Sequence, residues 1–336
     1  MKKILVTGGA GFIGSHYVRT LLDDGYEDWA GAHVTVLDKL TYAGNRDNLP
    51  PSHPRMTFVH GDICDTELLR GLLPGHDAVV HFAAESHVDR SLESAEEFVR
   101  TNVTGTQRLL DAALAARIRR VVHVSTDEVY GSIDEGSWTE QWPLEPNSPY
   151  SASKASSDLL ARSYWRTHGL NLSITRCSNN YGPYQHPEKL IPLFVTNLIE
   201  GEQVPLYGDG GNIREWLHVD DHCRAIDLVL NRGRAGEIYN VGGGDEQTNL
   251  AITERLLELT GSDRSKIRRV ADRKGHDLRY SLDETKIRQE LGYAPRISFD
   301  QGLADTVAWY HDNPSWWKAV KHASENTGRQ ALEGKS

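Results

Sequence analysis

Tyr150 and Lys154 stand four residues apart, so on a helix they share one face. A lysine ammonium beside a phenol favours the phenolate and lowers a pKa that starts near ~10. Chance alone places about 0.4 such pairs in a chain of this length and composition, so the pair gains weight only from its surroundings. One loop upstream stands Ser125-Thr126-Asp127-Glu128, a hydroxyl followed by two adjacent carboxyls. The two acids read either as an exposed, solvated turn or as a cleft pair. In a cleft, desolvation and like charge separate two carboxyl pKa values and leave one acid and one base, which is what an elimination requires. A third motif opens the chain: Gly8-Gly9-Ala10-Gly11-Phe12-Ile13-Gly14, between an apolar run and a helical pattern. Gly8 would allow the tight turn, Gly11 the approach of backbone to a pyrophosphate, and Gly14 close packing of helix on strand. The N–H groups around Phe12 and Ile13, at a helix start, then favour an anion. The alternative is a glycine-rich turn with no ligand.

These residues converge only if a sheet brings them together. Short apolar runs at 4–7, 33–38, 57–60, 78–82, 121–125 and 172–175 alternate with helical patterns, the clearest at 98–116 and 150–168. The expected fold class is α/β: a Rossmann-type, doubly wound parallel sheet that binds ligands beyond the carboxyl ends of its strands. Asp38 ends the second strand, where a carboxylate accepts from an adenosine ribose and repels a 2′-phosphate, pointing to NAD over NADP. The neighbouring Lys39 would soften that repulsion. Asp62-Ile63 follows the third strand at the place of an adenine, and Phe82-Ala83-Ala84 supplies small residues after the fourth. Past residue 178 the rhythm breaks. The expected organisation is a Rossmann domain over 1–178 with returning segments at about 213–246. A smaller, discontinuous α+β domain for the substrate takes 179–212 and 247–321, and a polar tail over 322–336 is expected to fray.

Composition narrows the function. Acidic residues outnumber basic ones, 47 to 37, for a net charge of −10, which disfavours nucleic acid as a partner. Cys64, Cys177 and Cys223 are far apart and show neither disulfide-framework nor zinc-ligand spacing, so no metal is expected. No run approaches the ~20 apolar residues of a membrane span, and a reducing cytoplasm is the expected compartment.

Taken together, the chain resembles the extended short-chain dehydrogenase/reductase superfamily over nearly its whole length, and within it the dTDP-glucose 4,6-dehydratases. Thr126-Asp127-Glu128 discriminates best, since relatives that epimerise or decarboxylate nucleotide sugars, and GDP-mannose dehydratases, usually have Ser in the middle position or lack the Glu. Ala84-Glu85-Ser86-His87-Val88-Asp89, Cys177-Ser178-Asn179-Asn180-Tyr181-Gly182-Pro183 and Pro187-Glu188-Lys189-Leu190-Ile191-Pro192 also look like this family. So do Pro205-Leu206-Tyr207-Gly208-Asp209-Gly210, Asn212-Ile213-Arg214-Glu215-Trp216 and Asp272-Arg273-Lys274-Gly275-His276-Asp277, the last with Lys274 where proline is common.

The resemblance implies a recycled, tightly held NAD and a three-stage reaction on dTDP-glucose. Tyr150, helped by Lys154 and Thr126, takes the C4 hydroxyl proton as hydride leaves C4. Glu128 then removes the acidified C5 proton while Asp127 protonates the departing C6 hydroxyl, and the hydride returns to C6. By the same resemblance, cofactor contacts extend to Lys39, Leu40, Thr41, Ser86, Thr101 and Asn180. Substrate contacts fall to Ser86, Thr126, Asn179 and His276, with Lys189, Leu190 and Asn249 on the nucleotide, Pro205 and Tyr207 on the base, and Arg214 and Arg273 on the diphosphate. The helices 98–116 and 150–168 resemble those of a four-helix dimer contact, implying a homodimer. Two other readings stay open: a UDP-sugar 4-epimerase or decarboxylase, in which Asp127 has no task, and a nucleotide sensor, which needs the glycines but not Thr126, Tyr150 and Lys154. His87 and His218 read as structural.

Overall fold

Ile4, Leu5 and Val6 are all fully buried, which is what a central parallel strand covered on both faces requires. Ile4 and Val6 join one hydrophobic core and Leu5 the other, following the period of two along a strand. Each such side chain contributes roughly 1.5–3 kcal/mol of burial. In the computed structural model, which describes residues 1–272 and 275–321, seven strands form this main sheet. They are β1 (Lys3–Thr7), β2 (His33–Asp38), β3 (Met56–His60), β4 (Ala78–His81), β5 (Arg120–Thr126), β6 (Leu172–Cys177) and β7 (Ile238–Val241). All pair in parallel, in the order β3-β2-β1-β4-β5-β6-β7. The winding reverses between β1 and β4, and a crevice opens there.

Helices Phe12–Leu22 and Val219–Arg232 cover one face, and Thr66–Leu72, Thr106–Ala115 and Pro149–His168 the other. Ser148 starts the last of these by accepting the Ser151 N–H at 3.1 Å, Pro149 sits in its first turn, and Gly169 at φ +68° ends it. β5 stays extended one residue further than expected, so Thr126 pairs with Cys177 at the carboxyl edge of the sheet. The helix expected over 98–116 begins at Glu96 and winds as a π-helix over Val99–Gly105 before becoming regular.

The second body is built around a separate core of Phe194, Trp216, Leu256, Leu303 and Tyr310. Asn179–Tyr181 and Asp245–Thr248 flank Ile213–His218 in a three-stranded sheet, and Val204–Tyr207 pairs with Ile267–Val270. The return to the main sheet therefore starts at Val219 and not at 213, because Ile213–His218 is hydrogen-bonded into the smaller sheet. Conversely, Thr285–Leu291, expected in the substrate domain, buries Ile287 and Leu291 in the first core. Which core an apolar face meets, not chain order, decides where a segment belongs. The expected tail at 322–336 lies outside the described residues. Among the described residues, no helix is long and apolar enough to cross a membrane, no cluster of three or more His, Cys, Asp or Glu could hold a metal, and the three cysteines are buried and free.

Candidate active site

The glycine loop is shaped by contacts no side chain permits. Gly8 has φ +69°, and a Cβ there would lie 2.5 Å from the Ala83 nitrogen. A Cβ on Gly14 would meet the Gly8 carbonyl, so the turn after β1 and the following helix pack closely here. That helix starts at Gly11 with no side-chain cap and no acid in its first turn, leaving its N–H groups open to an anion. Phe12, Ile13, Ile63, Phe82, Ala83, Ala84, Ser86, Thr101 and Asn180 line the same cleft. Asp38 lines it too, with its carboxylate oriented by the N–H groups of Leu40 (2.8 Å) and Ala10 (2.9 Å). Burial raises that carboxyl while the two N–H donors draw it down. Lys39 and Thr41 line the cleft as well, and the Lys39 ammonium sits on Asp62 at 3.1 Å. Asp62 also meets Arg100 at 3.0 Å, and although burial pushes its carboxyl up, the Cys64 N–H and these cations hold it below the usual range. Leu40, at φ +53°, is half-buried and packs against the core, and it does not line the cleft.

The catalytic candidates meet where β5 ends. Thr126 accepts the Glu128 N–H at 3.3 Å, closing a tight turn that sends the two acids to different surroundings. Asp127 is 2% exposed, receives the Thr126 hydroxyl at 3.2 Å on Oδ1, and keeps Oδ2 without a hydrogen-bond partner among the described residues. Burial, then the charges of Glu128 and Glu215, push its carboxyl well above the usual carboxylate range, which favours the protonated form. Glu128 is only half-buried and accepts the Ser151 hydroxyl at 3.2 Å. Tyr150 and Lys154 enter from the first turns of Pro149–His168 and line the cleft beside them. The expected lowering of the Tyr150 phenol is corrected: burial, reinforced by Glu128, Cys177 and Asp127, pushes it well above its ordinary value. Lys154 donates to the Val124 carbonyl at 2.8 Å, and its own pKa is lowered by burial.

Of the substrate candidates, Ser86, Thr126, Asn179 and Lys189 line the cleft, and Lys189 donates to the Ser86 carbonyl at 2.9 Å. Leu190, Pro205, Tyr207, Arg214, Asn249 and His276 belong to the second body and do not line it. Arg214 is 5% exposed. Its Nη atoms donate to the carbonyls of Ile213, Asp277 and Leu278, and its plane lies over Tyr280 at 4.2 Å. Tyr207 and His276 pack edge to face at 6.1 Å, and Asn249 Oδ1 is buried without a partner among the described residues. Arg273 lies outside the described residues. His87 and His218 each accept a backbone N–H at a helix start, from Arg90 and Asp220.

Ser125, Cys177, Ser178 and Glu188, which sequence reasoning placed in motifs without giving them a site role, also line the cleft, as do Gln185 and His186, which it did not single out. It also missed Asn102. Asn102 is 1% exposed in the π-helical turn and bridges Glu85 N (2.8 Å), Glu85 O (3.0 Å) and Ser153 Oγ (2.8 Å). A π-turn amid a regular helix is a common mark of a functional wall, but sequence periodicity does not reveal it.

Comparison with known proteins follows the same lines. The sequence profile of the GDP-mannose 4,6 dehydratase family matches residues 5–306. The chain is 58% identical over 335 residues to a dTDP-glucose 4,6-dehydratase of Streptomyces niveus, covering 99% of this chain and 100% of the relative. It superimposes with TM-score 0.93 and 66% identity on the crystal structure of DesIV, a dTDP-glucose 4,6-dehydratase from Streptomyces venezuelae with NAD and TYD bound, covering 95% of this chain and 99% of that one. A UDP-glucose 4-epimerase of Thermotoga maritima shares the fold at TM-score 0.85 and 32% identity, covering 92% and 99%.

Proposed function

This chain belongs to the dTDP-glucose 4,6-dehydratase family of the extended short-chain dehydrogenase/reductase superfamily, and on that premise we propose that it dehydrates dTDP-glucose to dTDP-4-keto-6-deoxyglucose. This is a hydro-lyase step of deoxysugar biosynthesis. NAD supplies a hydride acceptor and, later, a hydride donor. The cleft suits it: an uncapped helix start for the pyrophosphate, Asp38 for the ribose, and small residues at Ala83 and Ala84. Buried polar atoms at Ser125, Asp127, Ser178 and Asn179 have no partner among the described residues and give a polar ligand something to satisfy.

The observation that carries this reading is the division between two neighbouring carboxyls. Asp127, buried and with its carboxyl pushed up toward the protonated form, can give a proton to a departing C6 hydroxyl; Glu128, half-buried and oriented by Ser151, can take the C5 proton. Tyr150 accepts the C4 hydroxyl proton, and the positive charge of an oxidised nicotinamide offsets the burial that otherwise holds this phenol neutral. Lys154, held by the Val124 carbonyl, places its charge beside that exchange. C4 must become a ketone first, because only then is the C5 proton acidic enough for a carboxylate. An epimerase needs no acid at C6, so Asp127 separates this chain from its epimerase neighbour.

We assign the nucleotide to the second body. The carbonyls that fix the Arg214 plane make it a preset, permanently charged donor for the diphosphate, with Pro205 and Tyr207 assigned to the base, Lys189, Leu190 and Asn249 to the nucleotide, and His276 to the remainder. Exposed Val99 and Leu159, at 51% and 56%, support a homodimer through the helices 98–116 and 150–168. A net charge of −10 and three buried free cysteines support a cytoplasmic enzyme without a nucleic-acid partner. The test is to offer dTDP-, UDP-, GDP- and CDP-glucose side by side and weigh the products. Loss of one water from dTDP-glucose is expected, and a product of unchanged mass would overturn the assignment.

A further inference from the structure

On the flank of Pro149–His168 away from the cleft, a groove of about 380 Å³ runs along edge strand β7 and shares no lining residue with the active site. Its volume falls in the range of small-molecule sites. Two indoles line it: Trp142, 44% exposed, and Trp165, packed against Gly236 so closely that a Cβ there would lie 2.2 Å from the ring. Four cations line it against two carboxylates, in a chain whose net charge is −10.

The pairing of these charges is uneven. Lys286 donates to Glu237 at 2.6 Å and to the Ile238 carbonyl at 2.6 Å, and Glu140 accepts the Asn240 N–H at 3.0 Å. Both carboxylates are thus occupied. Arg162 and Arg166, one helical turn apart, form no ion pair or hydrogen bond among the described residues. Arg176 is 1% exposed, is paired through Nε with Asp158 at 2.9 Å and lies over Tyr130 at 4.7 Å, and its Nη1 is buried without a geometric hydrogen-bond partner among the described residues. A buried guanidinium N–H left unmade is costly, and a ligand oxygen is the partner it lacks. Guanidinium groups take phosphate in planar, charge-assisted pairs, and indole faces take planar rings.

We propose that this groove is a second ligand site for a nucleoside phosphate, its ring against Trp142 and Trp165 and its phosphate on Arg162, Arg166 and Arg176. The test uses the full chain with the active site saturated by NAD and dTDP, and measures labelled ATP by equilibrium dialysis. One ATP per chain is expected to bind. Arg162→Ala/Arg166→Ala is expected to weaken it at least tenfold with turnover of dTDP-glucose unchanged. Pyrophosphate and adenosine alone should each bind at least tenfold more weakly than ATP. Should the double variant lose its thermal transition, Trp142→Ala, altering an exposed ring, makes the same comparison. Absence of the extra equivalent, indifference to these substitutions, or pyrophosphate binding as well as ATP would each overturn the proposal.

Discussion

Asp127 and Glu128 show how one peptide bond separates two chemistries. The turn capped by Thr126 drives the first carboxyl inward and leaves the second at the cleft wall. In Glu128→Gln, dehydration should be abolished while oxidation at C4 persists as a visible build-up of reduced cofactor; unchanged turnover would discard the base assignment. For Asp127 the sign follows from its raised pKa. A carboxyl whose folded value lies above its unfolded one adds stability at low pH, and that contribution is lost as pH rises through the folded value. Asp127→Asn should therefore lose elimination yet raise the melting temperature more at pH 8 than at pH 4, and parallel shifts at both would contradict the buried, protonated acid. The types and spacing of these residues were legible in the sequence. The upward push on the Tyr150 phenol was not, because it depends on burial and on Glu128, Cys177 and Asp127, which spacing along one helix does not report.

Strands and helices were legible wherever a period of two or 3.6 was clean, as in β1 or Pro149–His168. They were illegible where hydrogen bonding overrode the pattern. Ile213–His218 falls in the span expected to return to the first domain, but its partners are Asn179–Tyr181 and Asp245–Thr248. The π-turn over Val99–Gly105 hides inside an ordinary amphipathic stretch, and only the structure shows Asn102 joining the Glu85 backbone to Ser153 on the catalytic helix. Asn102→Ala removes three hydrogen bonds at a nearly fully buried position and leaves backbone groups unsatisfied. We expect a loss on the order of 2–4 kcal/mol in denaturant unfolding, with kcat falling as the helix carrying Tyr150 and Lys154 loses its anchor. A variant as stable as the parent would show the bridge to be idle.

The whole molecule divides its labour between two cores that the chain enters repeatedly, so the cleft is walled by residues from 8 to 189 while Arg214, Tyr207 and His276 wait in the second body. The two-body plan was legible in the loss of βα rhythm after residue 178; the interleaving was not, because Thr285–Leu291 declares its core only by where Ile287 packs. Assembly is testable here as well. Leu159→Glu places a charge on the exposed apolar flank of Pro149–His168 and should convert a dimer to a monomer in sedimentation equilibrium; a mass that does not change would move the interface elsewhere. The most direct test of the enzymatic reading follows one atom. dTDP-glucose carrying deuterium at C4 should give a product with that deuterium on its new methyl group, and recovery of the label in solvent would contradict the account.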